Sequence, residues 1–205
     1  MSSPDDGLYL WVTRLAARSP DALNDVVAAW SLIGLMVLAL LLAVCGWRAR
    51  RSTSKLALVL MAPVAISAAF AVDAVLKLLV REVRPCAANA HVVVLEVCPG
   101  TGDWSFPSNH TVVAVAAATA IWMIDRRLRL VATLAAAGVG LSRVWVGVHY
   151  PHDVLAAVVV GLLVTIPLMR RARHLEPLAR RLREGIPIGS QRARRVRRGH
   201  ASLSR

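Results

Sequence analysis

Long uncharged stretches separated by short basic turns set the hydropathy pattern of this chain. Residues 26–46 run for 21 positions without a charge, against the about 20 that a helix needs to cross a bilayer. Residues 56–80 form a second apolar stretch, interrupted only by Asp73 and Lys77. Shorter ones follow at 111–124, 130–147 and 153–169, the fourth rich in Ala and Gly, which lets helices approach closely. Before them, residues 8–18 place apolar side chains at 8, 11, 12, 15 and 16. That is helical spacing in a segment too short to span. It predicts an amphipathic helix, lying at the membrane interface or packed on the bundle. The pattern therefore predicts an all-α integral membrane bundle of about five transmembrane helices plus an N-terminal amphipathic helix. It assigns residues 1–169 to the membrane domain and 170–205 to a basic tail.

Composition changes this picture in one respect, the sidedness. Hydrophobic residues make up 57% of the 205 positions, too many for a soluble domain. The net charge of +13 is uneven: residues 170–205 carry twelve arginines against Glu176 and Glu184, leaving only +3 for the rest. Basic residues also crowd 47–55 (Arg48, Arg50, Arg51, Lys55) and 126–129 (Arg126, Arg127, Arg129). With five spans these three regions share one side, which the positive-inside rule makes the cytoplasm. The loop 81–109 and the turn 143–152 then face outward, and the expected location is a multi-pass plasma-membrane protein with a cytoplasmic C-terminus.

Three outward segments hold polar residues that this topology does not explain. They are Lys77 to Pro85, Phe106 to His110, and Ser142 to Asp153. Lys77, Arg84 and Arg143 offer three cations, and arginine forks suit phosphate oxygens. Ser108 stands where the third span begins, as a candidate N-cap, and N–H groups near Asn109 would face an anion at a helix start. His149 and His110 are the side chains able to act as nucleophile and acid near neutral pH. Asp153, four residues after His149, can orient that ring; His110 has no such partner and is the better general acid. Asp73, one helical turn from Lys77, is expected to face the bundle interior, either as a polar-cavity residue or as a simple helix pair with the lysine.

Lys77-x6-Arg84-Pro85, Pro107-Ser108-Asn109-His110 and Ser142-Arg143-x5-His149-x3-Asp153 resemble the three-part signature of the type-2 phosphatidic acid phosphatase superfamily. The resemblance covers residues 77–153. It implies a helical membrane phosphatase without metal or cofactor. His149 would be the nucleophile, His110 the acid and base, and Asp153 the orienter. Lys77, Arg84, Ser108, Asn109 and Arg143 map onto the phosphate-binding positions. The second motif commonly reads Pro-Ser-Gly-His, and Asn109 departs from it. A polar residue there resembles the branch acting on polyprenyl diphosphates, so an undecaprenyl or decaprenyl diphosphate is the expected substrate. Phosphatidate, phosphatidylglycerophosphate, phosphotransfer to another acceptor, haloperoxidase chemistry, and lipid binding or transport without turnover are the alternatives.

Other signals carry less. Cys86 and Cys98 share the outer loop and are a candidate disulfide in an oxidising compartment. Cys45 reads as packing within a span. His91 and Glu96 lack the partners a metal site needs, and His152 reads equally as a surface residue. The arginines of the tail, Arg192 to Arg198 among them, are expected to meet anionic lipid headgroups, with no nucleic acid as partner.

Overall fold

The computed structural model describes residues 5–88, 92, 94–100 and 102–185. Among these every regular element is helical: α1 Asp6–Ala17, α2 Asp21–Ala49, α3 Thr53–Val80, α4 Pro85–Ala88, α5 Asn109–Ile124, α6 Arg129–Trp145, α7 Pro151–Arg170 and α8 Glu176–Gly185. Single 3-10 turns, Arg126–Leu128 and Arg171–Leu175, precede α6 and α8. Four helical stretches are long and apolar enough to cross a membrane, Asp21–Ala49, Thr53–Ala88, Arg126–Trp145 and Pro151–Glu184; α5 is a shorter apolar helix.

The bundle is built around α5, which packs on α2, α3, α6 and α7. Its composition explains the position. Ala114, Ala116, Ala117, Ala118 and Ala120 are all buried, so neighbouring backbones can close on it from several sides. The core continues through Ala62, Ala65, Ala132 and Ala135, with Leu38, Ile121 and Val139 filling the gaps. Large aliphatics lie outside, among them Leu40, Leu79, Leu134, Leu141 and Leu163, as expected where the solvent is hydrocarbon. The α2–α6 contact depends on missing side chains. A Cβ at Gly138 would lie 2.3 Å from Trp30 Nε1, and one at Gly34 would lie 2.5 Å from Val139 Cγ2. Trp30 is therefore a packing residue, not the interfacial anchor that its place near the start of a span suggests.

Two further elements pack on the bundle. Within the expected basic tail, residues 170–185 continue as helix, and the 3-10 turn and α8 fold back onto α3. Leu175, Leu178, Ala179 and Leu182 recur at helical spacing and give α8 an apolar stripe, with Ala172 and Ala179 buried. Residues 186–205, with Arg192 to Arg198, lie outside the described residues. The helix α1 packs on the bundle through Tyr9, Thr13 and Ala16, and it also exposes Leu8, Trp11 and Leu15. One face thus meets protein while the other is left for lipid.

The basic turns gather at one end of the bundle, where Arg48 Nε meets Asp125 Oδ2 at 3.2 Å across the α2–α3 and α5–α6 connections. The end of α3, the starts of α5 and α7 and the end of α6 meet at the other.

Candidate active site

At that second end α3 stops at Arg81, whose left-handed backbone (φ 52°, ψ 43°) caps the helix and turns the chain. Arg84 follows within three residues. Residues 94–100 and 102–108 then lie over the end of the bundle: the Leu95 N–H donates to Val146 O (3.1 Å) and the Ser105 N–H to Glu82 O (2.8 Å). Cys98 is bonded to Cys86, with Cα atoms 5.9 Å apart. A cis Phe106–Pro107 bond leads into α5. From α6 the chain reverses at Gly147, whose φ of 85° favours glycine. Tyr9 Oη of α1 donates to its carbonyl (2.9 Å). The amphipathic helix thereby braces the turn that carries His149.

His149 is buried, 2% exposed. Its Nδ1 lies 3.2 Å from Asp153 Oδ2 and its Nε2 lies 3.0 Å from Arg84 Nη1. The tautomer follows from the partners. A guanidinium only donates, so Nε2 carries the lone pair and the proton sits on Nδ1, toward the carboxylate. Asp153 Oδ2 also accepts from the Tyr150 N–H (2.8 Å) and from Ser105 Oγ, which fixes it at the first turn of α7. Burial, opposed by the hydrogen bond to Asp153, lowers the His149 pKa from 6.5 to about 4. The ring is neutral at physiological pH.

That depressed pKa also sets an acid limit. Above pH 6.5 neither the folded nor the unfolded chain protonates position 149; between 6.5 and about 4 only the unfolded chain does. Stability is therefore lost as pH falls through this window, by up to about 1.4 kcal/mol per pH unit. Thermal unfolding of the detergent-solubilised protein from pH 8 to 4.5 should show this slope, and His149→Gln should flatten it. Equal slopes in the two proteins would contradict the assignment.

Three cations lie at the same end of the bundle. Lys77 Nζ donates to the carbonyls of Trp104 and Ser105. Arg84 binds Asp103 through Nε to O and Nη2 to Oδ1, both 2.9 Å, and donates from Nη1 to Val148 O at 3.1 Å. Arg143 is clasped end-on by Glu96, Nη1 to Oε1 at 3.0 Å and Nη2 to Oε2 at 2.8 Å. Ser108 occupies the N-cap position of α5 but makes no side-chain cap bond; its Oγ accepts from Thr111 Oγ1 instead (3.1 Å). The Ser108 N–H donates to Asp153 O (3.3 Å), so the starts of α5 and α7 are joined. Asn109 Oδ1 is buried without a partner among the described residues. His110 is half-buried in the first turn of α5, within the fields of Arg143, Glu96, Arg84 and Lys77.

All eight sequence-predicted residues thus come to one end of the bundle. Asp73 is fully buried, and neither carboxylate oxygen has a hydrogen-bond partner among the described residues. His152 is no free surface residue. Its ring lies between Asp5 Oδ1 (2.8 Å) and Glu82 Oε2 (3.0 Å) and stacks on Tyr150. Glu82, His152 and Asp153 bring possible ligand atoms within 4.8 Å of one another, with the histidine ring already bonded to Glu82. His91 lies outside the described residues. Sequence reasoning missed Ser105, Asp103 and the role of Glu96, because loop residues that bond across 19 to 48 positions leave no periodic trace.

Comparison with known proteins gives this arrangement a context. The chain is 33% identical over 119 residues to undecaprenyl-diphosphatase BcrC of Bacillus subtilis (strain 168), covering 58% of this chain and 60% of that protein. It is 39% identical over 61 residues to bacitracin transport permease protein BcrC of Bacillus licheniformis, 30% of each. The matched segments therefore span less than two thirds of either relative. In fold the chain is similar to LpxE of Aquifex aeolicus, with a TM-score of 0.66 and 22% identity over 82% of this chain and 96% of that one. It is also similar to a transmembrane PAP2-type phosphatidylglycerolphosphate phosphatase of Bacillus subtilis, with a TM-score of 0.60 and 21% identity over 85% and 89%. The profile of the PAP2 superfamily matches residues 53–175, from the start of α3 to the turn before α8, and this chain belongs to that superfamily.

Proposed function

We propose that this membrane protein hydrolyses the terminal phosphate of a polyprenyl diphosphate, through a phosphohistidine on His149, on the extracytoplasmic face. The observation that carries the reading is the buried Asp153–His149 pair with Nε2 turned toward Arg84. The His149 lone pair attacks the terminal phosphorus, and the bridging P–O bond breaks. His110 gives its proton to the departing polyprenyl phosphate. The neutral His110 then takes a proton from water; the hydroxide attacks phosphorus, the P–N bond breaks, and inorganic phosphate leaves. Asp153 holds the Nδ1 proton throughout and stabilises the cationic ring of the intermediate. Lys77, Arg84 and Arg143 neutralise the phosphoryl oxygens, with Ser108 and the N–H groups at the start of α5 completing the cradle.

A lipid substrate has support in the fold. A cavity of about 680 Å³ lies between α5, α6 and α7, lined by Thr111, Gly140 and Val154 at the site end and by Trp122, Thr133 and Arg170 at the other. Along α7 from Val154 to Arg170 it runs for about 24 Å. Among its lining residues Leu141, Trp122 and Leu162 are exposed, so it opens toward lipid. The similarity to an undecaprenyl-diphosphatase favours a polyprenyl tail. The arginines at the opposite end support the outward face, and the disulfide beside Arg84 suits an oxidising compartment. At the cytoplasmic end, the six arginines between 170 and 183 meet anionic headgroups.

The test is phosphate release by the purified protein in detergent, with chelator present, across polyprenyl diphosphate, phosphatidate and phosphatidylglycerophosphate. The diphosphate should turn over fastest. A preference for another lipid overturns the substrate, and no release from any overturns the enzyme. Ala137→Trp, at an exposed position lining the cavity, should raise KM for the long-chain diphosphate by about tenfold and leave a short-chain one unchanged. Equal effects on both would remove the tail from this cavity.

A further inference from the structure

We infer that Glu96 is a positioning residue for Arg143: it grips one edge of the guanidinium so that the opposite edge is presented to the substrate's phosphate. The inference rests on the phosphatase reading above and assigns a role to an acidic residue outside all three motifs.

The donors of Arg143 can be counted. A guanidinium has five N–H bonds in fixed directions. Glu96 takes one from Nη1 and one from Nη2, and Ser31 Oγ takes the other from Nη1 at 2.8 Å. Among the described residues, what remains is Nε–H and the second Nη2–H. These two lie side by side on one edge, a fork of the kind that receives two oxygens of a phosphate. The Arg143 side chain is 6% exposed, and Nε is buried with no partner among the described residues. A buried donor without an acceptor is costly, and a phosphate oxygen is the acceptor it lacks. The Arg143 charge is also felt at His110.

The grip is itself anchored. Leu95 bonds Val146 O on the turn after α6, and Cys98 is tied to Cys86, two residues beyond Arg84. Glu96 sits between these two attachments. Ser31 completes the frame from α2, and its Oγ lies 2.9 Å from Ser142 Oγ. An arginine on a long flexible stem is thus fixed in plane and azimuth before substrate arrives, which removes part of the ordering cost of binding. The opposite possibility is a competing anion: a carboxylate on an arginine fork resembles the phosphate that would replace it. The two readings predict opposite signs.

The experiment measures kcat, KM and the inhibition constant of inorganic phosphate in detergent for the wild-type protein, Glu96→Ala, Glu96→Gln, Arg143→Ala and the Glu96→Ala/Arg143→Ala pair. Positioning predicts that loss of Glu96 weakens phosphate inhibition and lowers kcat/KM, each by about tenfold, and that it adds nothing once Arg143 is gone. Glu96→Gln keeps the side chain's size, so it decides the matter should Glu96→Ala fail to fold. Tighter phosphate binding in the Glu96 variants would make Glu96 a competitor and overturn the inference. Unchanged constants, or losses that add in the double variant, would also overturn it. If the wild-type protein neither releases phosphate nor is inhibited by it, the phosphatase reading falls first and takes this inference with it; if it does both, only the Glu96 result is at stake.

Discussion

His149→Ala should abolish turnover, lowering phosphate release by about ten-thousand-fold or more. The size follows from how completely the fold commits to this ring. It is buried, held at Nδ1 by Asp153 and faced at Nε2 by Arg84. In the free protein the Nε2 lone pair accepts an N–H from Arg84. An entering phosphate must draw that N–H onto its own oxygen and thereby uncover Nε2. Binding and activation of the nucleophile are one event in this geometry. Phosphate release and circular dichroism measured together separate loss of chemistry from loss of fold. A folded His149→Ala protein with more than about one per cent of wild-type activity is incompatible with a phosphohistidine route.

His110→Ala should stop the cycle halfway, and where it stops depends on the leaving group. Phosphoryl transfer from a diphosphate expels a phosphate monoester, a weak base that needs little help from an acid. Transfer from a phosphomonoester expels an alkoxide, which needs a proton badly. On a diphosphate, His110→Ala should still phosphorylate His149 and then fail to hydrolyse it, since water has lost its base. The readout is a stoichiometric burst of leaving group followed by a steady rate about a thousandfold or more below wild type, within the usual scale of acid–base catalysis. On phosphatidate the same variant should show no burst. Bursts of equal size on both substrates, or unimpaired steady turnover, would remove His110 from the acid and base roles.

These expectations start from residues that the sequence makes legible, because each motif is local. Arg84 and Pro85, Ser108 to His110, and His149 with Asp153 are each set by a helix end, and helix ends have readable signals. The apolar spans were readable for the same reason, since a bilayer demands length and composition. What could not be read is what the loop between α4 and α5 does. Glu96, Asp103 and Ser105 reach arginine or aspartate partners 47, 19 and 48 positions away. Spacing of that kind obeys no period and appears only once the bundle has closed. The same applies to Trp30, whose neighbours Gly34 and Gly138 convert an apparent interface anchor into a packing residue. The helical fold-back at α8 was obscured by its charge. Six arginines between 170 and 183 mask a narrow leucine and alanine stripe.

The central claim is a covalent phosphate on His149, and it can be trapped. Incubation with a polyprenyl diphosphate radiolabelled at the terminal phosphorus, quenched in alkali where phosphohistidine survives, should leave label on the protein. The label should accumulate toward one per chain in His110→Ala, map to the peptide containing residues 144–153, and vanish in His149→Ala. Phosphate release by the wild-type protein with no label in either the wild type or His110→Ala, or label that persists in His149→Ala, would contradict the account.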